Sequence, residues 1–183
     1  MIFPTVDGTD EVRAARKLCD AGAWRELIDF TREWQQQSPE EAKVFYYLAL
    51  GHAGLEQFLQ AESAYRRSLE LDDSDANAWS NPGGLLYEHL HRPVDGIRCV
   101  EKALRLNPEH KLGWANLAYM VGRLGHHQHA IAFADRALAL DKHCVEAYLH
   151  KGAAAQALGK NEVLREVCTG LSAIPPEKFR RAR

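Results

Sequence analysis

The segment Lys111–Cys144 constrains the fold more than any other part of the chain, because its pattern of small and large apolar residues recurs on both sides of it. Its first part, KLGWANLAYMVGRL, places apolar residues at helical spacing, and its second part, HHQHAIAFADRALAL, does the same. Between them, Gly125 can adopt the left-handed backbone that ends a helix, and Asp141 begins the exit turn. The segment therefore predicts a hairpin of two amphipathic helices.

This hairpin recurs along the chain with an almost constant period. A small residue in the first helix and a turn residue after the second helix both recur at separations of 34, 35, 34 and 34 residues. A period of this length is typical of stacked helical units that bury one continuous core. The small residues are Ala15, Ala49, Gly84, Ala118 and Gly152, and the turn residues are Pro39, Asp73, Pro108, Lys142 and Pro176.

The repeat resembles the tetratricopeptide repeat (TPR) family, in which aromatic, Leu-Gly, Ala and Pro positions recur every 34 residues. The resemblance covers nearly the whole chain and implies an all-α fold, a right-handed superhelical array (an α-solenoid) of about five TPR helix hairpins. It implies a single domain, 1–183, with a degenerate first repeat whose charged Glu11 suits an end that faces water. The matching residues in the central repeat are Trp114, Leu117, Ala118, Ala130, Ala134 and Ala137. The implied repeats are 8–41, 42–75, 76–110, 111–144 and 145–176, followed by a basic tail, 177–183.

The repeat at 76–110 is one residue longer than its neighbours. Trp79 keeps the register of the preceding repeat, whereas Gly84 and later residues are displaced by one, which places the insertion in the segment 80–83. Pro82 lies in that segment and lacks a backbone N–H. We therefore expect a one-residue bulge in a kinked helix between Trp79 and Gly84; the alternative is a helix that begins at Pro82 with Asn81 as its cap. The acidic turn before this repeat predicts a capped helix that starts near Ala76.

Composition limits the classes of function. A formal net charge of −2 and no dominant cluster of Lys and Arg argue against nucleic-acid and membrane-surface binding. No basic leader or apolar run of membrane length is apparent, so we expect a cytoplasmic protein. The four cysteines form no Cys-x-x-Cys pair, which indicates reduced thiols rather than a zinc site or a disulfide framework.

The sequence carries no catalytic motif, and no cofactor is expected. Five of the nine histidines occur in two adjacent hairpin turns, which raises the hypothesis of a metal site. No carboxylate or cysteine completes a recognisable ligand spacing, so we interpret them as solvent-exposed turn residues and expect no metal. These histidines are His89, His91, His126, His127 and His129.

The TPR resemblance implies a groove lined by the first helices, at positions two, five, six, nine, twelve and thirteen of each repeat. Aromatic side chains and asparagine amides at these positions suit an extended or helical peptide. The set that co-chaperone members use to hold a C-terminal carboxylate is missing apart from Asn81. The predicted binding residues are Tyr46, Tyr47, Leu50, Asn81, Leu112, Asn116, Tyr119, Arg123 and His150; other groove positions are Lys43, Asn77, Ser80, Leu85, Glu88, His89, Ala115, Leu149 and Gln156.

These observations predict a non-enzymatic scaffold that binds a protein or peptide partner in its groove. We expect the partner to dock between Tyr47 and Tyr119, with Tyr47 exposed on the groove and Trp114 in the core. The partner's identity does not follow from the sequence. A homo-oligomeric scaffold is the first alternative, and a metal-dependent enzyme that uses the turn histidines is the second.

Overall fold

The computed structural model describes residues 10–176, and within this range it contains ten α-helices and no strand. The predicted all-α, helical-repeat fold class is confirmed. The first two residues of the predicted repeat at 8–41 and the predicted basic tail at 177–183 lie outside the described residues. The helices are α1 (Asp10–Ala21), α2 (Trp24–Gln37), α3 (Ala42–Gly54), α4 (Phe58–Leu71), α5 (Ala76–Glu88), α6 (Pro93–Leu106), α7 (Lys111–Arg123), α8 (His127–Leu140), α9 (Val145–Ala157) and α10 (Asn161–Ser172).

The chain divides into two compact units. The N-terminal unit ends at Ala78 and contains α1 to α4 with the first residues of α5; the C-terminal unit begins at Trp79 and contains the remainder of α5 and α6 to α10. Each unit has its own apolar core. The core of the N-terminal unit includes Val12, Ala15, Leu27, Trp34, Val44, Phe45 and Tyr47, and one core cluster of the C-terminal unit consists of Ala115, Ala118, Ala134, Ala137, Cys144 and Ala147.

The two helices of each pair are joined by a short turn that a backbone hydrogen bond closes. In the pair α7 and α8, the amide of His126 donates to the carbonyl of Val121 at 2.9 Å, and Gly125 has a φ of 87°. Such a bond across a left-handed residue satisfies a carbonyl that the end of the helix leaves free. The role predicted for Gly125 is therefore confirmed. Equivalent bonds of 2.9 to 3.0 Å join Ala23 to Leu18, Gln57 to His52 and Lys160 to Ala155.

The extra residue of the third repeat lies in the turn between α5 and α6, not inside α5. Helix α5 has 13 residues, as α3, α7 and α9 do, and it stays α-helical through Pro82. The turn that follows has four residues, His89 to Arg92, and the amide of Arg92 donates to Leu86, six residues earlier instead of five. Both the bulge predicted between Trp79 and Gly84 and the alternative start at Pro82 are wrong.

A turn accommodates one more residue at small cost, because the free energy of closing a loop rises only slowly with its length. Inside a helix, an added residue would rotate every later side chain by about 100° away from its packed face. His91 takes the left-handed backbone in the longer turn, with a φ of 53°.

This correction moves the small residue at the helix crossing from Gly84 to Gly83. A Cβ built on Gly83 would lie 2.7 Å from Cγ2 of Val100 and 2.9 Å from the carbonyl oxygen of Gly96, whereas a Cβ on Gly84 would meet nothing within 4 Å. Gly83 therefore occupies the position in α5 that Ala118 occupies in α7, where helix backbones approach closely. The groove positions of α5 also shift by one, so Leu85 is 6% exposed and belongs to the core.

Polar side chains shape the connections between successive pairs. The Oδ1 atom of Asp75 accepts the amide of Asn77 at 2.8 Å, which caps α5 at its first residue, Ala76. The predicted capped start near Ala76 is therefore confirmed. Asp72, Asn107 and Asp141 each accept the amide two residues later at 2.9 to 3.0 Å, so these turns are stabilised by local side-chain bonds.

Tyr47 is buried, which contradicts the expectation that it is exposed. Its side chain is 7% exposed, and its ring lies 6.3 Å from the ring of Trp34 and 5.3 Å from the ring of Tyr46. Trp114 is half-buried: its indole N–H donates to the carbonyl of Pro108 at 2.8 Å, and its ring lies 5.8 Å from that of Phe133. Both aromatic rings therefore contribute to packing.

The adjacent glycines of α5 provide a matched pair of variants that tests the helix register. We expect Gly83→Ala to destabilise the protein by about 2 kcal/mol or more, because the new methyl group overlaps Val100 and the backbone of Gly96. We expect Gly84→Ala to stabilise it by about 0.5–1 kcal/mol, because alanine loses less backbone entropy in a helix. Urea unfolding followed by circular dichroism measures both changes, and similar effects at the two positions would contradict the register.

Truncation of Tyr47 tests its burial. Tyr47→Ala removes a ring packed among aromatic neighbours, so we expect a loss of about 3 kcal/mol in the free energy of unfolding. The exposed Arg32→Ala, also in the N-terminal unit, is a control that should change stability by about 0.5 kcal/mol or less. Thermal or chemical unfolding measures both, and a Tyr47→Ala effect as small as that of the control would mean that the ring lies at the surface.

Candidate functional site

The nine predicted binding residues fall into two groups, one in each compact unit. Tyr46, Tyr47 and Leu50 lie in the N-terminal unit, and the remaining six lie in the C-terminal unit: Asn81, Leu112, Asn116, Tyr119, Arg123 and His150.

The group in the N-terminal unit borders a hollow of about 280 Å³ between α1 and α3. Arg16 and Lys43 contribute two exposed cations to its wall. Burial raises the pKa of Tyr47, and a hydrogen bond from Arg16 opposes that rise. Arg16 was not among the predicted site residues, because the degenerate first repeat has no aromatic residue in its first helix from which its register could be assigned. The hollow is lined by Val12, Arg16, Cys19, Lys43, Tyr46, Tyr47, Leu50, Asp75 and Asn77.

The group in the C-terminal unit centres on three aromatic rings supplied by α5, α7 and α9. The ring of Tyr119 lies 5.8 Å from that of Tyr87, in an edge-to-face arrangement, and 5.1 Å from the imidazole of His150. The hydroxyl of Tyr87 donates to the carbonyl of Met120 at 2.9 Å, and this bond holds the ring of Tyr87 in place. The structure thus brings together two of the predicted binding residues, Tyr119 and His150, and places Tyr87 beside them.

Tyr87 was not predicted because an insertion was expected inside α5, which shifts the assigned groove positions after it by one residue. With the extra residue in the turn, Tyr87 and Glu88 occupy the twelfth and thirteenth positions of their repeat, where the prediction had Glu88 and His89. The correct register of α5 is apparent from the surroundings of its two glycines: Gly83 is in close contact with α6, whereas Gly84 is not. These contacts depend on how the helices pack.

The other predicted residues of this unit differ in exposure. Asn116 is half-buried, and its Nδ2 lies 3.4 Å from the hydroxyl of Ser80, so part of its hydrogen-bonding capacity is used inside the protein. Ser80, expected in the groove, is 1% exposed. Asn81 is half-buried, Leu112 is 44% exposed at the start of α7, and Arg123 is exposed at its end.

The electrostatics of the three rings depend on burial and on two carboxylates. Burial raises the pKa of Tyr119, and the charge of Glu88 together with a hydrogen bond to its carboxylate raises it further, against the opposing charge of Arg123. Burial lowers the pKa of His150, whereas the charges of Glu146 and Glu88 oppose that change. At neutral pH the surface therefore presents an uncharged imidazole against a neutral tyrosine.

A hollow of about 430 Å³ opens beside Tyr119 and His150, between α7 and α9. Much of its wall consists of residues with little or no side chain, and it also contains Arg123 and His127. Such a space can receive a side chain from another molecule. The lining residues are Ala118, Tyr119, Gly122, Arg123, His127, His150, Ala153 and Ala154, which we name the α7–α9 hollow.

The turn histidines do not form a metal site in the described part of the chain. The rings of His126 and His129 lie 6.2 Å apart, and residues 10–176 contain no group of three or more His, Cys, Asp or Glu side chains that could hold a metal ion. None of the helices in this range is both long and apolar enough to cross a membrane.

The lowered pKa of His150 predicts a contribution to the pH dependence of stability. The unfolded chain binds a proton at His150 more readily than the folded chain does, so the stability due to the neutral imidazole is present above the unfolded pKa, about 6.5, and is lost as the pH falls through it. We expect the melting temperature of His150→Gln to fall less between about pH 7.5 and pH 5.5 than that of the wild type. His52→Gln, at an exposed hydrogen-bonded histidine, is the control. Identical pH profiles for wild type and His150→Gln would contradict the assignment.

Comparison with known proteins gives one short match in sequence and several matches in structure that extend over most of the chain. No protein-family model matches the chain. The human protein O-mannosyl-transferase TMTC3 is 35% identical over 68 residues, which is 37% of this chain and 7% of TMTC3. The chain therefore corresponds to a small part of that curated relative.

The structural matches extend over most of the chain. PilF of Pseudomonas aeruginosa has a TM-score of 0.80 with 18% identity, covering 88% of this chain and 73% of that one. YrrB, a TPR protein with an unusual peptide-binding site, has a TM-score of 0.66 with 15% identity, covering 93% and 87%. MamA has a TM-score of 0.70 with 16% identity, covering 93% and 91%. Together with the repeat period and the helix pairs, these matches show that the chain has the helical-repeat fold of solved tetratricopeptide-repeat structures such as YrrB.

Proposed function

We propose that the chain is a non-enzymatic protein-interaction module that binds a segment of a partner protein on its C-terminal unit. The binding surface comprises Asn116, Tyr119, Arg123 and His150, with the neighbouring Tyr87, Asn81 and Leu112. The observation that carries the proposal is the cluster of the Tyr87, Tyr119 and His150 rings beside the α7–α9 hollow.

The chemistry of this surface suits a peptide. Aromatic rings offer a large contact area at low entropic cost, because the rings of Tyr119 and Tyr87 are already held by contacts within the protein. Hydrogen-bonding and charged side chains around them can orient a peptide backbone. The peptide-binding site of YrrB and the Cut9–Hcn1 hetero-tetramer, which has a TM-score of 0.77 with this chain at 14% identity, provide fold-level support.

The predicted role of Tyr46, Tyr47 and Leu50 stays a prediction. Their hollow in the N-terminal unit holds fewer exposed aromatic atoms than expected, because Tyr47 is buried, so these residues contribute less to the proposal than the C-terminal group does. A homo-oligomeric scaffold is the alternative, and the experiment below has an outcome that would favour it.

The experiment begins with a partner captured from the source organism and then purified. We expect Tyr119→Ala and His150→Ala each to weaken its binding, measured by calorimetry, by about 2 kcal/mol, or roughly 30-fold, because anchors of this kind dominate interface energies. Arg98→Ala, at an exposed position on α6, should bind normally. Melting temperatures measured in parallel identify any variant that fails to fold.

Two results would overturn the proposed surface. If Tyr119→Ala and His150→Ala bind normally while Arg98→Ala loses binding, the partner binds to the second helices of the pairs instead. A dimer that forms with rising concentration in light scattering, and that Tyr119→Ala abolishes, would show that the surface binds a second copy of the chain.

A further inference from the structure

The α7–α9 hollow has the size and the lining to hold a side chain of another molecule. Ala118, Gly122, Ala153 and Ala154 leave its wall without side-chain atoms beyond Cβ, and the rings of Tyr119 and His150 form one side. Its volume of about 430 Å³ exceeds the roughly 150 Å³ of an apolar protein cavity that holds benzene. An aromatic ring or a branched aliphatic side chain therefore fits.

Among the residues that line the hollow, only Arg123 carries a permanent charge. No carboxylate lines the hollow, and Arg123 supplies a permanent positive charge. Among residues 10–176, the guanidinium of Arg123 takes part in no salt bridge or hydrogen bond, whereas Arg92 pairs with Asp95 and Lys111 with Asp141. Arg123 lines the hollow together with Tyr119, and its positive charge lowers the pKa of Tyr119 and of Tyr87, against the larger effect of burial. An anionic group beside a bound apolar side chain would therefore find a cation.

The nearby carboxylates are already engaged by the protein. Glu88 accepts the hydroxyl of Tyr119 and lies 3.7 Å from His89, and Glu146 lies 3.5 Å from the thiol of Cys144. Neither carboxylate lines the hollow, so Arg123 is the charged residue that a side chain bound there meets in the wall.

From this geometry we infer that the α7–α9 hollow receives a bulky apolar side chain of the partner, and that an aspartate or glutamate within two residues of it pairs with Arg123. The inference rests on the proposed function and specifies the partner segment that the surface selects: an extended peptide with a Leu, Ile, Met, Phe or Trp anchor and an adjacent acidic residue. The anchor supplies the buried apolar area, and the carboxylate sets its orientation and gives specificity.

Selection from a displayed library of random short peptides, with the purified full chain as bait, tests the inference. We expect the enriched peptides to share a bulky apolar residue with an acidic residue next to it or one position further. A fluorescein-labelled peptide of that consensus then serves as the probe in fluorescence anisotropy.

Two pairs of variants separate the hollow from the rest of the surface. Ala153→Leu fills the hollow and should weaken binding of the probe about tenfold, whereas Ala132→Leu, an equivalent exchange at an exposed position of α8, should not. Arg123→Glu should weaken binding of the probe about fivefold or more. When this variant is the bait in the selection, the enriched peptides should carry a basic residue beside the anchor. Arg98→Glu on α6 is its control and should keep the acidic preference.

The outcomes distinguish the inference from the function on which it rests. Enriched peptides that bind Ala153→Leu and Arg123→Glu as tightly as wild type, or that carry a basic residue beside the anchor with the wild-type bait, would overturn the inference and leave the proposed function standing. Failure to enrich any peptide above the level of an unloaded support would overturn both.

Discussion

The close approach of the two helices in each pair is the constraint on which the rest of the structure depends. In the third pair, the backbones of α5 and α6 come so near that a Cβ on Gly96 would lie 2.6 Å from the carbonyl oxygen of Gly83. In the fourth pair the corresponding positions are alanines with no exposed surface, Ala118 and Ala130. Small residues at these crossings let the larger side chains interdigitate around them, since protein interiors pack at nearly crystalline density.

Because small residues occupy the helix crossings, some larger side chains of the first helices lie at the surface. In the C-terminal unit this packing aligns Tyr87, Tyr119 and His150, one from each of three first helices. Three small residues that pack against α8, Ala118, Gly122 and Ala154, also form part of the wall of the hollow beside these rings. The residue types needed for folding thus create the space that we assign to a partner side chain.

A buried lysine that pairs with two largely exposed carboxylates links the last three helices of the same unit. Lys151 of α9 is 9% exposed, and its ammonium lies 2.8 Å from Asp135 of α8 and 3.1 Å from Glu166 of α10. Burial alone would favour the neutral amine, but the two hydrogen-bonded carboxylates outweigh it and raise the pKa of Lys151. The side chains of Asp135 and Glu166 are 51% and 66% exposed, so solvent screens both pairs, and their main effect is to give the buried ammonium of Lys151 partners where the three helices meet.

The sequence alone determined the period, the helix pairs and most turns, because Gly125, Asp75 and the spacing of apolar residues act through local backbone geometry and through repetition. It did not determine where the third repeat absorbs its extra residue: Pro82 and two adjacent glycines point to the helix, and only the contact of Gly83 with Gly96 and Val100 shows that α5 is uninterrupted. Nor did it determine that Tyr47 is buried or that Tyr87 joins Tyr119 and His150. A helix exposes side chains at similar spacing on several faces, and only the packing of the neighbouring helices decides which face is covered.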